Sequence, residues 1–284
     1  KPSIMQKILL PTDFSDNSYK AVSYAMKLFK DQECTFFLLH TYTPAIYQAE
    51  YVMHAPMQVG LSDFYQSNSI QQLELQDRIE TEFKNPKHKF IIHAAFNLLV
   101  DEILETIKNE QIDLVIMGTQ GASGAKEIFF GTNTIHVIKK STCPVIAVPI
   151  SNKQSLPSNI LFPTDFEVSY QNDQFTELKN IVNSHRSKLK VLHISTNYEL
   201  DPEQAKNKTK LKGIFKGIQM EFQEVEDQGV ISAINGFQND NDVDFLVMVQ
   251  HKRTFLERLF MEPVIDKIGF HVTIPFMVIP AFKQ

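Results

Sequence analysis

The stretch Ile-Leu-Leu-Pro-Thr-Asp-Phe at residues 8–14 returns later in the chain as Ile-Leu-Phe-Pro-Thr-Asp-Phe at residues 160–166. A second repeat follows in the same order: Asp-Leu-Val-Ile-Met at 113–117 recurs as Asp-Phe-Leu-Val-Met at 244–248. Landmarks that recur in one order indicate a duplicated domain. We therefore predict two related domains, which is also the number that a length of 284 residues suggests.

The boundary between the two copies is predicted at residues 151–158, a polar stretch that contains Pro157. Such a composition is typical of a connector rather than of a core element. The first domain then covers residues 1–150 and the second covers residues 159–284. The first copy is longer mainly because of residues 42–66, which show no clear period and which we interpret as an inserted flap or packing arm.

Short apolar runs alternate with segments of helical period in each copy, which predicts strands buried on both faces of a parallel sheet. Alternation of this kind requires right-handed crossovers and gives an open, five-stranded, doubly wound α/β sheet flanked by helices. Ligands of such sheets lie at the carboxyl ends of the strands, where the winding direction switches. In the first copy we predict strands at 7–11, 35–40, 89–94, 113–117 and 145–148, and helices at 16–30, 67–84, 100–110 and 132–140.

Composition and charge disfavour several classes of partner. A formal charge of −5 provides no long-range attraction to nucleic acid. The longest apolar run, residues 90–100, is too short to span a membrane, and the start of the chain lacks the apolar core of a signal peptide. The only cysteines, Cys34 and Cys143, show no metal-ligand spacing. We expect packing roles for both cysteines, a cytoplasmic location, and neither a nucleic-acid nor a membrane partner.

A glycine-rich segment follows the fourth predicted strand, with the spacing Gly-x-x-Gly at 118–121, nine further residues, and then Gly131-Thr132. Glycines let the main chain approach a ligand closely, and a helix start offers unpaired N–H groups, so this arrangement favours phosphate. The hydroxyls of Thr132 and Thr134 either add donors to the same oxygens or cap the helix. The pattern alone is equally compatible with a tight connection that binds nothing.

Four features together resemble the universal stress protein family: residues 8–15, Leu-Leu-His at 38–40, the glycine pattern at 118–132, and Cys-Pro-Val at 143–145. The resemblance extends over nearly all of both copies, and the glycine spacing is similar to that of the ATP-binding branch of the family. It implies two tandem Rossmann-like domains of the adenine nucleotide alpha hydrolase-like type. It also implies that the domains pair with each other inside the chain through their last strands, and it leaves a homodimer open.

The resemblance implies a binding site for an adenine nucleotide, which is ATP, ADP or AMP, with Mg²⁺ or Mn²⁺ carried on its phosphates. Residues 11–13 would line the nucleoside pocket, Thr41 would meet the adenine through its main chain, and Met117 would form a wall. The segment from Gly118 to Thr134 would surround the ribose and phosphates, although Ala122 stands where many relatives carry arginine. The implied site residues are Pro11, Thr12, Asp13, Thr41, Met117, Gly118, Gly121, Gly131, Thr132, Asn133 and Thr134.

The second copy departs from this pattern at the positions that would hold phosphate. Alignment of its fourth strand with that of the first copy places Val249, Lys252 and Glu262 at the three glycine positions, and Pro263 at that of Thr132. Bulky side chains, a repelling carboxylate and a missing N–H donor predict that the second site is lost. The Pro-Thr-Asp-Phe stretch nevertheless persists, which indicates that part of it is structural. Asp13 therefore has two possible roles, contact with a ligand or capping of the following helix.

No catalytic residue is assigned, because no Ser-His-Asp spacing or nucleophile elbow is present. We expect His40 and His193 to be hydrogen-bonded packing residues. The residues and the resemblance together predict a nucleotide-binding, stress-response regulatory or signalling module in which hydrolysis is slow at most. Two alternatives stay open: a ligand-free dimerisation scaffold, and an ATP-dependent enzyme of the same α/β group, whether a slow ATPase, a transferase or a pyrophosphatase.

Overall fold

One sheet of ten β-strands runs through the computed structural model, which describes residues 5–42, 59–119, 131–150, 155–195, 199–226, 230–250 and 273–281. The first half contributes β1 (Gln6–Pro11), β2 (Cys34–Thr41), β3 (His88–Ala95), β4 (Leu114–Gly118) and β5 (Val145–Val148). The second half contributes β6 (Asn159–Thr164), β7 (Lys188–Ser195), β8 (Met220–Glu226), β9 (Phe245–Val249) and β10 (Phe276–Ile279). The strand order is β3-β2-β1-β4-β5-β10-β9-β6-β7-β8.

Helices cover both faces of this sheet. The first half has α1 (Asp16–Leu28), α2 (Val59–Phe83), α3 (Leu99–Glu110) and α4 (Thr132–Lys140). The second half has α5 (Thr176–His185), α6 (Pro202–Ile214) and α7 (Val230–Asp240). One apolar cluster packs α1, α2, α5 and α6 on one face, and another packs α3, α4 and α7 on the other. The predicted tandem, doubly wound α/β fold is confirmed.

Strands are parallel within each half, and the halves meet where β5 and β10 pair antiparallel. The predicted internal pairing through the last strands is therefore seen directly. Helix α1, the turn after it, and α5 add polar contacts across this junction: Gln32 Nε2 donates to Ser184 Oγ at 3.0 Å, and His185 Nε2 donates to the Leu28 carbonyl at 2.8 Å. The precise domain limits, with a linker at 151–158, stay a prediction.

The Pro-Thr-Asp-Phe turn has the same geometry in both halves. Thr12 Oγ1 accepts the Phe14 N–H at 3.1 Å, and Thr164 Oγ1 accepts the Phe166 N–H at 2.9 Å. Both phenylalanines have positive φ, at 61° and 56°, a region that large residues seldom adopt. A structural role therefore explains why the second half keeps this stretch.

One helix starts earlier than the sequence predicted, and the two halves differ in where their first helix starts. Helix α2 begins at Val59 rather than at residue 67, so the last third of the segment interpreted as a flap or packing arm is helical. Residues 43–58 of the same segment lie outside the described residues. In the second half the first full helix starts only at Thr176, after a short 3₁₀ turn at Asp173–Phe175, whereas α1 starts five residues after β1.

Cys34 and Cys143 are both free and buried, as expected for packing residues. Burial raises the pKa of each thiol to about 12, so neither is a thiolate at neutral pH. In the described parts of the chain, no helix combines the length and apolar character that crossing a bilayer demands.

Glu177, in the first turn of α5, reaches across the junction to the first half. Gln6 Nε2 of β1 donates to its carboxylate. Burial and then the negative charge of Asp113 raise the pKa of Glu177 to about 7, and hydrogen bonds from Asn180 and Gln6 oppose the shift only in part. Because the folded state holds this proton more tightly than the unfolded chain, ionisation of Glu177 destabilises the fold as the pH rises from about 4.5 to about 7.

We predict that Glu177→Gln removes this loss. Glutamine keeps a hydrogen-bonding group beside Gln6 but carries no charge. The unfolding free energy of the variant minus that of the parent should therefore rise by about 2 kcal/mol from pH 5 to pH 8. Urea unfolding at the two pH values measures the gain. Glu167→Gln, at an exposed position, serves as the control and should give the same difference at both pH values. A Glu177→Gln difference that does not change with pH would contradict the assignment.

Candidate functional site

A cavity of about 680 Å³ opens at the carboxyl ends of β1 and β4, where the winding direction of the first half switches. Every implied site residue lines it except Gly121, which lies outside the described residues. The structure therefore brings the residues singled out in the sequence to one place. The lining residues are Pro11, Thr12, Asp13, Ser18, His40, Thr41, Leu98, Leu99, Val100, Asp101, Met117, Gly118, Gly131, Thr132, Asn133, Thr134, His136 and Lys140.

The β1 end of the cavity is a tightly hydrogen-bonded turn. Thr12 Oγ1 lies 3.0 Å from Ser18 Oγ, and Ser18 Oγ donates to the Ser15 carbonyl at 2.9 Å, so the Thr12 proton points at Ser18. Asp13 Oδ1 accepts from Ser15 N at 3.1 Å and from Ser15 Oγ at 2.5 Å. Ser15, not Asp13, caps α1, through the N–H of Ser18. Asp13 ties the turn and still presents an exposed side chain at the cavity.

The β4 end of the cavity needs a residue without a side chain at position 118. A Cβ placed on Gly118 would lie 2.7 Å from Asn17 Nδ2 and 3.3 Å from the Asn17 carbonyl oxygen. Asn17 is buried in the first turn of α1. Gly118 is therefore required by the close approach of α1 to β4, whether or not a ligand is bound.

Helix α4 begins at the cavity without a side-chain cap. Gly131 is its N-cap residue and has no side chain with which to accept from the first-turn N–H groups. Thr134 is buried, and its hydroxyl donates to the Gly118 carbonyl at 3.0 Å, so it holds α4 to β4 and its proton is already used. Thr132 and Asn133 are exposed on the cavity side. The Thr134 hydroxyl thus ties α4 to β4, whereas the sequence had suggested either a ligand contact or a helix cap.

His40 and a wall of residues 98–101 complete the cavity. His40 Nδ1 donates to the Thr12 carbonyl at 2.8 Å and its ring packs on Phe14 at 4.5 Å, as expected for a hydrogen-bonded packing histidine. The wall is braced from behind, because Glu102 accepts from His93 Nε2 at 2.8 Å and from Asn97 Nδ2 at 3.0 Å. These contacts fix the turn from β3 into α3.

Sequence reasoning missed this wall and the side chains of His136 and Lys140. A signal for the pair existed, because Thr132, His136 and Lys140 recur every four residues and so share one face of α4. The wall follows β3 at the same carboxyl edge of the sheet as the other site residues. The place of this wall can be predicted from the sequence once the strand order is known.

In the second half a tyrosine stands at the position that corresponds to Ser18 of the cavity lining. Thr164 Oγ1 pairs with Tyr170 OH at 2.5 Å, where the first half uses the small Ser18. Tyr170 is fully buried against Phe162 and Phe175, with ring centroids 6.2 and 5.8 Å away. Val249 occupies the position of Gly118 and packs against the same apolar cluster. Lys252, Glu262 and Pro263, which were also expected to close this site, lie outside the described residues.

The sequence profile described as the universal stress protein family matches residues 5–149, which is about half of the chain. The chain belongs to the universal stress protein family. A universal stress protein of Methanocaldococcus jannaschii is 30% identical over 160 residues, which cover 52% of this chain and 96% of that protein. One of Bacillus subtilis is 27% identical over 161 residues, covering 51% and 99%. These relatives are about half as long as this universal stress protein.

A solved structure has the complete tandem arrangement. The universal stress protein from Archaeoglobus fulgidus superposes with a TM-score of 0.69 at 19% identity and covers 96% of each chain. This likeness shows the fold of both halves together. The implied roles of individual site residues stay predictions, as does the divalent cation; in the ranges that the structure describes, no three His, Cys, Asp or Glu side chains are placed to hold a metal ion.

We predict that Gly118→Ala destabilises the protein by about 1–3 kcal/mol, because the new Cβ collides with Asn17. The measurement is urea unfolding. Asn17→Ala removes the nearest contact, so Gly118→Ala should cost less in that background than alone. Gly236→Ala is the matched control, since a Cβ at that position of α7 meets no atom within 4 Å. Equal costs for Gly118→Ala in both backgrounds would rule out the collision.

Proposed function

We propose that this universal stress protein binds one adenine nucleotide, ATP or a close relative, in its first half and acts as a stress-response regulatory module. The observation that carries the proposal is the cavity at the β1 and β4 ends, which joins an apolar wall to an uncapped helix start. A nucleotide has the same two-part character, with a flat base at one end and anionic oxygens at the other.

The anionic part of the ligand is assigned to the start of α4. Unpaired N–H groups and the positive end of the helix dipole attract phosphate, and the N-cap residue, Gly131, adds no side chain to block the approach. Lys140 belongs to the same helix, lines the same cavity, and adds a positive charge. A divalent cation would be carried on the phosphates, since the lining includes Asp13 and Asp101 but no preformed cluster of ligands in the described residues.

The base is assigned to the wall after β3. Leu98 exposes 61% of its surface, and Val100 and Met117 line the same cavity. Apolar side chains of this kind pack well against the face of a purine. Thr41 ends β2 at this edge, so its main chain borders the base as the family resemblance implies.

The reactive groups in the cavity lining support a regulatory role rather than a catalytic one. The hydroxyls of Thr12 and Thr134 are used within the protein, and His40 donates to a main-chain carbonyl. The Asp13 carboxylate is likewise occupied, since it accepts from Ser15 Oγ at 2.5 Å within the turn before α1, so we expect hydrolysis to be slow. The nucleotide would then act by being bound rather than by being hydrolysed.

We predict that ATP with magnesium raises the melting temperature of the protein. A ligand at a hundred times its dissociation constant stabilises a fold by about 2.7 kcal/mol. Gly131→Glu should abolish the shift, because it places a carboxylate where phosphate would lie. Gly236→Glu puts the same charge on α7 of the second half, where a side chain has open space, and should leave the shift intact.

The alternatives give different results in the same assay. A ligand-free scaffold shows no shift with ATP, ADP, AMP or adenosine in the parent protein. An enzyme shows turnover, which phosphate release over many protein equivalents would reveal. A shift that is equal in both variants would overturn the assignment of the site while leaving nucleotide binding elsewhere as the explanation.

A further inference from the structure

Two helices at equivalent places in the two halves carry opposite charge. Helix α2 follows β2 and helix α6 follows β7, so they correspond in the duplicated fold. From residue 70 onward, α2 carries four carboxylates and the single cation Arg78, while α6 carries four lysines and the single carboxylate Glu203. The net charges of these two helical segments are therefore equal in size and opposite in sign.

The outer face of α2 presents acidic and apolar side chains together. Glu74 and Asp77 are exposed, and in the described ranges no residue forms a hydrogen bond or ion pair with either. Ile70 and Leu73, one turn apart and beside them, expose 54% and 58% of their surface. Exposed large apolar residues grouped on one helix are typical of a contact surface.

The outer face of α6 is basic and nearly flat. Ala205, Thr209 and Gly213 are exposed at intervals of four residues, and a Cβ on Gly213 would meet no atom within 4 Å. Lysines flank this strip. Lys206 forms an exposed ion pair with Glu203 at 3.0 Å, worth little in water, and Lys212 Nζ lies 4.8 Å from the Phe222 ring.

Both helices lie on the same side of the sheet, at its two ends. Their inner residues belong to one apolar cluster: Leu75 and Ile79 from α2, Leu211 from α6, and Phe215 at the C-cap of α6. When α2 of one copy contacts α6 of another across a twofold axis, the reverse contact forms at the same time.

We propose that two copies of this chain associate through α2 of one and α6 of the other, with each contact made twice. Glu74 and Asp77 face the lysines of the partner's helix, and Ile70 and Leu73 cover its flat strip of small residues. A second copy accounts for both helices and for the exposed apolar pair. An anionic lipid surface or a nucleic acid would engage α6 alone and leave α2 without a role.

We predict that light scattering after size exclusion gives twice the chain mass of 32.6 kDa at low salt, and that high salt shifts the protein toward single chains. The double variant Glu74→Lys/Asp77→Lys should raise the dissociation constant of the pair at least tenfold, and so should Lys206→Glu/Lys212→Glu. Combining all four substitutions restores opposite charges and should bring the constant back toward the parent value.

A matched control separates the specific contact from overall charge. Lys108→Glu/Lys139→Glu makes the same change in net charge on exposed residues of α3 and α4, on the other side of the sheet, and should leave association unchanged. Thermal melting of every variant verifies the fold, since all sites are exposed. A single-chain mass at low salt, association insensitive to the reversals, or no recovery in the combined variant would each overturn the proposal. A mass that keeps growing with concentration would overturn the closed pair.

Discussion

The hydroxyl of one threonine at the end of the first strand holds the turn from which each half is built. In the first half, Thr12 Oγ1 accepts the Phe14 N–H, and the positive φ of Phe14 lets its ring pack on His40. The second half repeats the arrangement with Phe166 and His193, whose rings lie 5.0 Å apart. A large residue in this conformation costs on the order of 1 kcal/mol, which the hydrogen bond and the ring contact offset.

From the same turn the two halves diverge through the size of a few side chains. Ser18 lets α1 start early and bring Asn17 against Gly118, which leaves the carboxyl edge open. In the second half Tyr170 takes the place of Ser18, and burial raises the pKa of its hydroxyl. The first full helix starts later there, at Thr176, and Val249 stands where the first half needs glycine. The two halves therefore combine the same turn with different packing at the carboxyl edge.

Much of this was visible in the sequence because the deciding signals are local or repeated. The duplicated stretches at 8–14 and 160–166 predicted the tandem fold, and the glycine pattern predicted where the site residues gather. The wall at 98–101 was missed because its place depends on the pairing of β3 with β2, a contact between residues far apart in the chain. The sequence left Gly118 open between ligand approach and a tight connection, since nothing in a linear sequence shows that Asn17 approaches it.

The antiparallel pairing of β5 with β10 gives this molecule unlike ends. Strands are parallel within a half, so the carboxyl edge of the first half and that of the second face in opposite directions. The two halves carry different residues at these edges, Gly118 in the first and Val249 in the second, so the edges are not equivalent. A molecule that recognises the edge with the cavity would approach this chain from one direction only, whereas a symmetric pair of single domains offers two equivalent edges.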